Sequence, residues 1–146
     1  MQAPLAGVGV IELGGGPAIA YAGKLCADLG AEVTRIVPSG GENAPCAQDT
    51  DDGASVLALY LDSRKKSIAV DSSTRAGAAA MSELISRSRV LFHGAAERGQ
   101  TDCPPGPEDV ARKFPDLVVI SVTPFGLNGD AREWPADDLT LHAYGG

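Results

Sequence analysis

Three consecutive glycines and a proline, Gly14 to Pro17, form the part of the sequence best suited to hold a phosphate. They stand between an apolar run, Val8 to Leu13, and a segment of helical period that Gly30 closes as a C-terminal cap. Glycine lets a ligand approach the backbone, and a helix N-terminus offers free N–H groups and partial positive charge. The pattern predicts a strand, a glycine turn and a helix that open an α/β domain of nucleotide-binding type.

The turn does not complete the fingerprint of a dinucleotide site. Gly14 and Gly16 fit the first two glycines of GxGxxG, but Ile19 occupies the third position, where glycine allows close helix packing. Val37 and Pro38 stand where an acid would bind a ribose hydroxyl, and no GxxxxGK[ST] motif occurs. NAD is therefore disfavoured, and a purely structural tight turn remains an alternative.

The residues that most often bind metals or act as nucleophiles are sparse. Cys26, Cys46 and Cys103 are odd in number and widely spaced without a CxxC pair, so neither a disulfide framework nor a metal site is expected. We expect buried or free thiols. His93 is interpreted as a strand-end histidine and His142 as a histidine on a helix face rather than as catalysts.

Composition limits the classes of function. The chain has 146 residues, 44% of them hydrophobic, which suits one domain or part of one. A net charge of −7 argues against a general nucleic-acid binder, which needs a basic face. Met1 to Leu5 lacks the start of a secretory signal, and no apolar stretch is long enough to span a bilayer. A cytoplasmic protein with no membrane partner is expected.

Short apolar runs alternate with segments of helical period, which is typical of βαβ units and a parallel sheet. The predicted strands are Val8 to Leu13, Glu32 to Val37, Ser67 to Asp71, Val90 to His93 and Leu117 to Val122. Helices are predicted after the glycine turn and at Thr74 to Arg87, Glu108 to Phe114 and Asp137 to Tyr144, whereas Val56 to Leu61 is a short apolar run without an assigned state. Pro38 should stop the second strand, and Ser39 to Gly53 is expected to be a functional or mobile loop.

The same periodicity predicts which side chains face the core. In the first helix the inward face is predicted to comprise Ala18, Tyr21, Ala22, Leu25 and Leu29. In the Thr74 to Arg87 helix it comprises Ala76, Ala80, Leu84 and Ile85, with a Glu83–Arg87 pair outward. In the second strand it comprises Val33, Ile36 and Val37.

Four segments in the right order resemble one enzyme family. They are PLAGVGVIELGGGPAIAYAGKLCADLGAEVTRIVP (4–38), LDSRKKSIAVD (61–71), LVVISVTPFGLNG (117–129) and the helix start at 137–146. Together they resemble the family III CoA-transferases, which include crotonobetaine/carnitine, bile-acid-inducible and formyl-CoA transferases and α-methylacyl-CoA racemase. The resemblance implies a Rossmann-like parallel sheet with flanking helices, the N-terminal portion of the family's large domain.

The resemblance also implies a ligand, acyl-CoA, and roles for individual residues. Gly14, Gly15, Gly16 and Pro17 resemble the segment that lines the pantetheine and thioester. Arg35, Arg64, Lys65 and Lys66 resemble basic residues near the CoA phosphates and adenine, although a solvated basic edge is the alternative. One of Lys65 and Lys66 should point to water, because side chains alternate along a strand.

Two departures from the family pattern affect function. The family's ENFRPG segment appears as His93 to Gly99, so Arg98 is either its CoA-contacting arginine, displaced, or a solvent-exposed residue. The family's catalytic aspartate, which forms an aspartyl-CoA mixed anhydride, is expected beyond Gly146. Asp138 aligns with a helix-start acid suited to capping. An isolated chain of residues 1–146 is therefore expected to be inactive.

Three functions remain open on the sequence. The first is the CoA-binding N-terminal part of an acyl-CoA:carboxylate CoA-transferase or racemase-like enzyme, which in this family forms an interlocked homodimer. The second is a non-catalytic CoA-binding or assembly module. The third, least favoured, is an NAD(P)-binding oxidoreductase domain.

Overall fold

The computed structural model describes residues 2–39, 56–94, 105–134 and 136–145. Three features that the sequence singled out lie outside these ranges: the predicted loop after Ser39, Arg98, and the thiols of Cys46 and Cys103.

Five strands and five helices alternate along the described chain. The strands are β1 (Gly9–Leu13), β2 (Glu32–Pro38), β3 (Lys66–Val70), β4 (Val90–Gly94) and β5 (Val118–Val122). The helices are α1 (Pro17–Asp28), α2 (Val56–Asp62), α3 (Arg75–Ser86), α4 (Pro107–Lys113) and α5 (Asp138–Gly145), with a 3-10 turn at Asp130–Glu133. Each predicted strand is confirmed, with small shifts at its ends, and the unassigned apolar run forms α2. Pro38 is the last residue of β2, as predicted.

All five strands are parallel and lie in the order β3-β2-β1-β4-β5. The α/β class with a parallel sheet is therefore confirmed. The chain builds from β1 outward to β3, crosses back over β1, and continues through β4 to β5. This reversal makes the β1/β4 boundary the topological switch point of the sheet.

Side chains alternate across the sheet and form two apolar layers. One layer packs against α3 and α4 and comprises Ile11, Leu13, Ile36, Val70, Met81, Ile85, Leu91 and Val110. The other packs against α1 and comprises Val10, Ile19, Ala27, Ala31, Val33 and Phe92. Val33 and Ile36 are buried as predicted, in opposite layers, and Val37 is half-buried. Within the described residues, no helix has the length and apolarity needed to cross a bilayer.

The predicted inward face of α1 is wrong except at Ala22, which is half-buried and packs against the core. Its large members Tyr21, Leu25 and Leu29 are 46–49% exposed. The buried residues are instead Ile19, Ala20, Gly23, Lys24 and Ala27. Apolar residues surround most of this helix, so periodicity alone could not select the face. The face that packs against the sheet combines three small residues, Ala20, Gly23 and Ala27, with Ile19 and Lys24. The predicted end of the helix is confirmed, since Gly30 follows it with φ +97°.

The predicted inward face of α3 is correct only in its second half. Ile85 is buried and Leu84 packs against the core, but Ala76 and Ala80 are exposed. Met81, which the pattern missed, takes their place because α3 meets the core layer through its last two turns. The outward ion pair is confirmed, with Arg87 Nη2 2.5 Å from Glu83 Oε1.

Candidate functional site

The glycine turn joins the carboxyl end of β1 to the amino end of α1. Gly14 has φ +91° and Gly16 has φ +110°, in the left-handed region that residues other than glycine rarely adopt. Pro17 begins the helix, where its fixed φ suits the first turn and its missing N–H costs no hydrogen bond. The predicted strand, turn and helix are thus confirmed.

The turn lies against the end of β4. A Cβ placed on Gly14 would be 3.1 Å from the Gly94 backbone, and one placed on Gly94 would be 2.7 Å from the Gly15 carbonyl oxygen. Because β1 and β4 flank the switch point, these glycines lie at the carboxyl ends of the strands beside it. Ligands of open α/β sheets bind at this position.

The amino end of α1 is not covered by any of the residues that the structure describes. Gly16 is the N-cap and has no side chain to accept the first helical N–H groups. A Cβ on Gly16 would have no atom within 4 Å in the described part of the chain. The turn can therefore receive a polar or anionic group, with backbone donors and the helix dipole favouring negative charge.

A buried ion pair lies directly beneath the turn. Lys65 Nζ is 2.7 Å from Glu12 Oε1, and the side chains of Lys65 and Glu12 are 0% and 1% exposed. The same ammonium donates a hydrogen bond of 2.7 Å to the carbonyl oxygen of Ala20 in α1. Burial raises the pKa of Glu12, and the bond from Lys65 offsets part of that increase.

A second ion pair borders the first. Arg35 is buried on β2 beside Glu12 in the parallel register, and its Nη1 is 2.6 Å from Asp62 Oδ2 at the end of α2. Two basic residues that the resemblance assigned to CoA phosphates, Arg35 and Lys65, therefore make ion pairs inside the fold.

Two more of the predicted basic residues lie at the amino end of β3. Lys66 is the first residue of β3, its side chain is 73% exposed, and its Nζ is 3.7 Å from Glu32 Oε2 at the start of β2. Arg64, two residues before Lys66, is exposed and has φ +68°. The expectation that one of the two lysines points to water is confirmed, for Lys66. Arg64 and Lys66 therefore do not lie at the glycine turn, which is at the carboxyl ends of the strands.

His93 is buried at the end of β4, on the face opposite α1. Its Nε2 is 3.2 Å from the carbonyl oxygen of Pro105, so that nitrogen carries the proton. Burial lowers the pKa of His93, because it disfavours the charged ring. Its place at a strand end agrees with the sequence interpretation.

The cap of α5 is Asp137 rather than Asp138. Thr140 N donates to Asp137 Oδ1 at 2.7 Å, and Asp137 N donates to Thr140 Oγ1 at 2.9 Å. The hydrogen bond from the Thr140 backbone N–H to the carboxylate is the main cause that lowers the pKa of Asp137. The sequence pattern assigns the capping acid to Asp138, one residue too late. The two reciprocal hydrogen bonds of a capping box join Thr140 to Asp137, three residues before it. His142 lies exposed on α5, as expected of a helix-face histidine.

Comparisons with known proteins identify the family of the chain. The model of CoA-transferase family III matches residues 5–146. The chain belongs to this family. It is 30% identical to the probable fatty acyl-CoA transferase Rv3272 of Mycobacterium tuberculosis over 98% of the chain and 37% of that protein. It is 28% identical to α-methylacyl-CoA racemase of Mus musculus over 97% of the chain and 34% of that protein.

A solved relative has the same fold as this family III member. The crystal structure of a CAIB/BAIF family protein from Brucella suis superposes with a TM-score of 0.79 at 25% identity. The match covers 99% of this chain and 40% of that one. The chain therefore spans well under half the length of the relatives that it matches.

Sequence reasoning missed Glu12, Gly23 and Asp62. The sequence did contain a signal for the first two. Glu12 is an acid inside an otherwise apolar strand, and Gly23 is a glycine inside the helix that follows it. A Cβ on Gly23 would be 1.5 Å from Glu12 Oε1, so the glycine makes room for the carboxylate. The partners of Glu12 and Arg35 could not be read, because they are distant in sequence.

Proposed function

We propose that this chain is the CoA-binding N-terminal part of an acyl-CoA:carboxylate CoA-transferase or of a racemase-like relative. The observation that supports the proposal most is the contact of Gly14 and Gly15 with Gly94 at the switch point, beside the open start of α1. Family membership supplies the chemistry of the ligand, a CoA thioester. The glycine turn, Gly14 to Pro17, would receive the pantetheine and thioester end of that ligand.

The phosphate end of the ligand needs cations. Arg35 and Lys65 are buried cations already paired with carboxylates, and Arg64 and Lys66 lie at the amino end of β3. Arg98 follows β4 in the sequence, the strand whose end meets the turn. We therefore favour Arg98 for the phosphates over the basic residues that precede β3, since an arginine fork matches phosphate oxygens.

The chemical step would need a carboxylate nucleophile, with backbone amides near the thioester stabilising the developing charge. The family resemblance assigns that nucleophile to an aspartate downstream of α5. An isolated polypeptide of residues 1–146 would then bind CoA without transferring acyl groups, and turnover of any acyl-CoA pair by it would contradict this assignment. We also propose a homodimer and a cytoplasmic location for the whole protein.

Titration calorimetry of the intact protein with CoA, acetyl-CoA and NADH tests the proposal. We expect saturable heat with both CoA ligands and none with NADH. Absence of heat at millimolar CoA would overturn the proposal, and tight NADH binding would support an oxidoreductase domain instead. CoA binding without turnover by the intact protein would favour a non-catalytic module.

A further inference from the structure

Lys65 links the two elements that flank the glycine turn. Its Nζ is 2.7 Å from Glu12 Oε1 and donates to the Ala20 carbonyl oxygen at 2.7 Å. Glu12 is the last residue but one of β1, and Ala20 lies in the first turn of α1. One buried ammonium thus joins the strand before Gly14 to the helix after Gly16.

The turn between these anchors has little structure of its own to hold it. Three consecutive glycines have the greatest backbone freedom, and the order of such a segment must be maintained by its surroundings. Gly16 has no side chain to cap α1. A ligand that binds a mobile turn must also order it, which weakens affinity, whereas a turn already fixed avoids that cost.

Stability alone does not account for a charged pair in this position. A buried ion pair loses the hydration of both groups, and well-packed apolar residues of similar volume often stabilise a fold as much or more. Glu12 also requires glycine at position 23, inside α1, where glycine is a poor helix former. An apolar pair would not give the ammonium's hydrogen bond to Ala20.

We propose that Lys65 is a positioning residue that holds the glycine turn in its ligand-binding geometry, and that it does not contact the ligand phosphates. The proposal deepens the function inferred above and rests on it for the identity of the ligand. It replaces the role that the sequence resemblance suggested for Lys65, since the amine is buried against Glu12 and Ala20.

The test compares three variants of the intact protein. Lys65→Met removes the ammonium, and Glu12→Met/Lys65→Met removes the whole pair while keeping apolar volume, so that it folds even where the single variant does not. Lys113→Met is the control, because Lys113 Nζ also joins two elements, α4 and α3, by a 2.8 Å bond to Ser82 Oγ, on the face of the sheet opposite α1. Two quantities are measured: ligand-free amide exchange, and the Kd for CoA and for pantetheine, which has no phosphate.

We expect exchange at residues 14–21 to be about tenfold faster or more in the double variant, with β5 unchanged. Both ligands should bind about tenfold more weakly, whereas Lys113→Met stays near wild type. Unchanged exchange at 14–21 in a folded double variant would overturn the proposal. A loss confined to CoA would also overturn it, because it indicates a direct phosphate contact. If the wild type binds no CoA, the proposed function fails, and the exchange data alone still decide the role of Lys65.

Discussion

Gly23 and Glu12 occupy adjoining space in the α1/β1 interface: a Cβ on Gly23 would be 1.5 Å from Glu12 Oε1. The carboxylate cannot move away easily, since it is 1% exposed and paired with Lys65. The absence of a side chain at position 23 is therefore what lets a charged residue lie in the centre of the sheet, beneath the glycine turn.

This relationship predicts that Gly23→Ala destabilises the protein although alanine is the better helix former. Overpacking should exceed the gain in helix propensity, and the net loss in the free energy of unfolding should be about 2 kcal/mol. Urea denaturation measures it. Gly106→Ala is the control, because among the described residues the atom nearest to its new Cβ would be Asp109 Oδ2, at 3.8 Å. A variant as stable as wild type would show that the helix can shift away from Glu12.

The Gly15–Gly94 contact predicts that Gly94→Ala weakens ligand binding. The new Cβ would be 2.7 Å from Gly15 O and 2.8 Å from Ile19 Cδ1, so the turn must move. We expect Kd for CoA to rise about tenfold or more. Gly9→Ala in β1 is the control, since its Cβ would be in ordinary contact, 3.4 Å from Ser88 Cα. Equal affinities of the two variants would place the ligand elsewhere.

We expect the buried His93 to make the protein less stable in mild acid. Burial lowers its pKa from the ordinary 6.5, so the unfolded chain takes up a proton at higher pH than the folded one. The contribution is fully present above pH 6.5 and decreases as the pH falls towards the lowered pKa, by up to about 1.4 kcal/mol per pH unit. His93→Phe should remove this dependence in denaturation series. An NMR titration of His93 at or above its ordinary pKa would contradict the assignment.

Glu12 should give the opposite dependence of stability on pH. Its pKa is raised above 4.5 by burial, so the folded state holds the proton more tightly than the unfolded state. The contribution of Glu12 is fully present below pH 4.5 and decreases as the pH rises through the raised pKa. Wild type should therefore lose stability relative to Glu12→Gln across this window. A difference that grows in favour of wild type as the pH rises would mean that the Lys65 pair outweighs desolvation.

The features that could be predicted from the sequence are those that depend on residues close together along the chain. Gly14 to Pro17 and the strands around them follow from local apolar runs and from residues with special backbone freedom. The inward face of α1 could not be predicted, because Tyr21 and Leu25 lie on an apolar stripe as regular as the buried one. The role of Lys65 could not be predicted either, because a lysine before a strand gives no sign of a carboxylate on a distant strand.

The most direct test of CoA binding at the glycine turn is amide exchange of the intact protein with and without saturating CoA. We predict that CoA slows exchange at residues 14–21 and at the end of β4, around Gly94, while the amides of Arg64 to Ile68 exchange as before. Saturable CoA binding that protects residues 64–68 and leaves residues 14–21 unchanged would contradict this account.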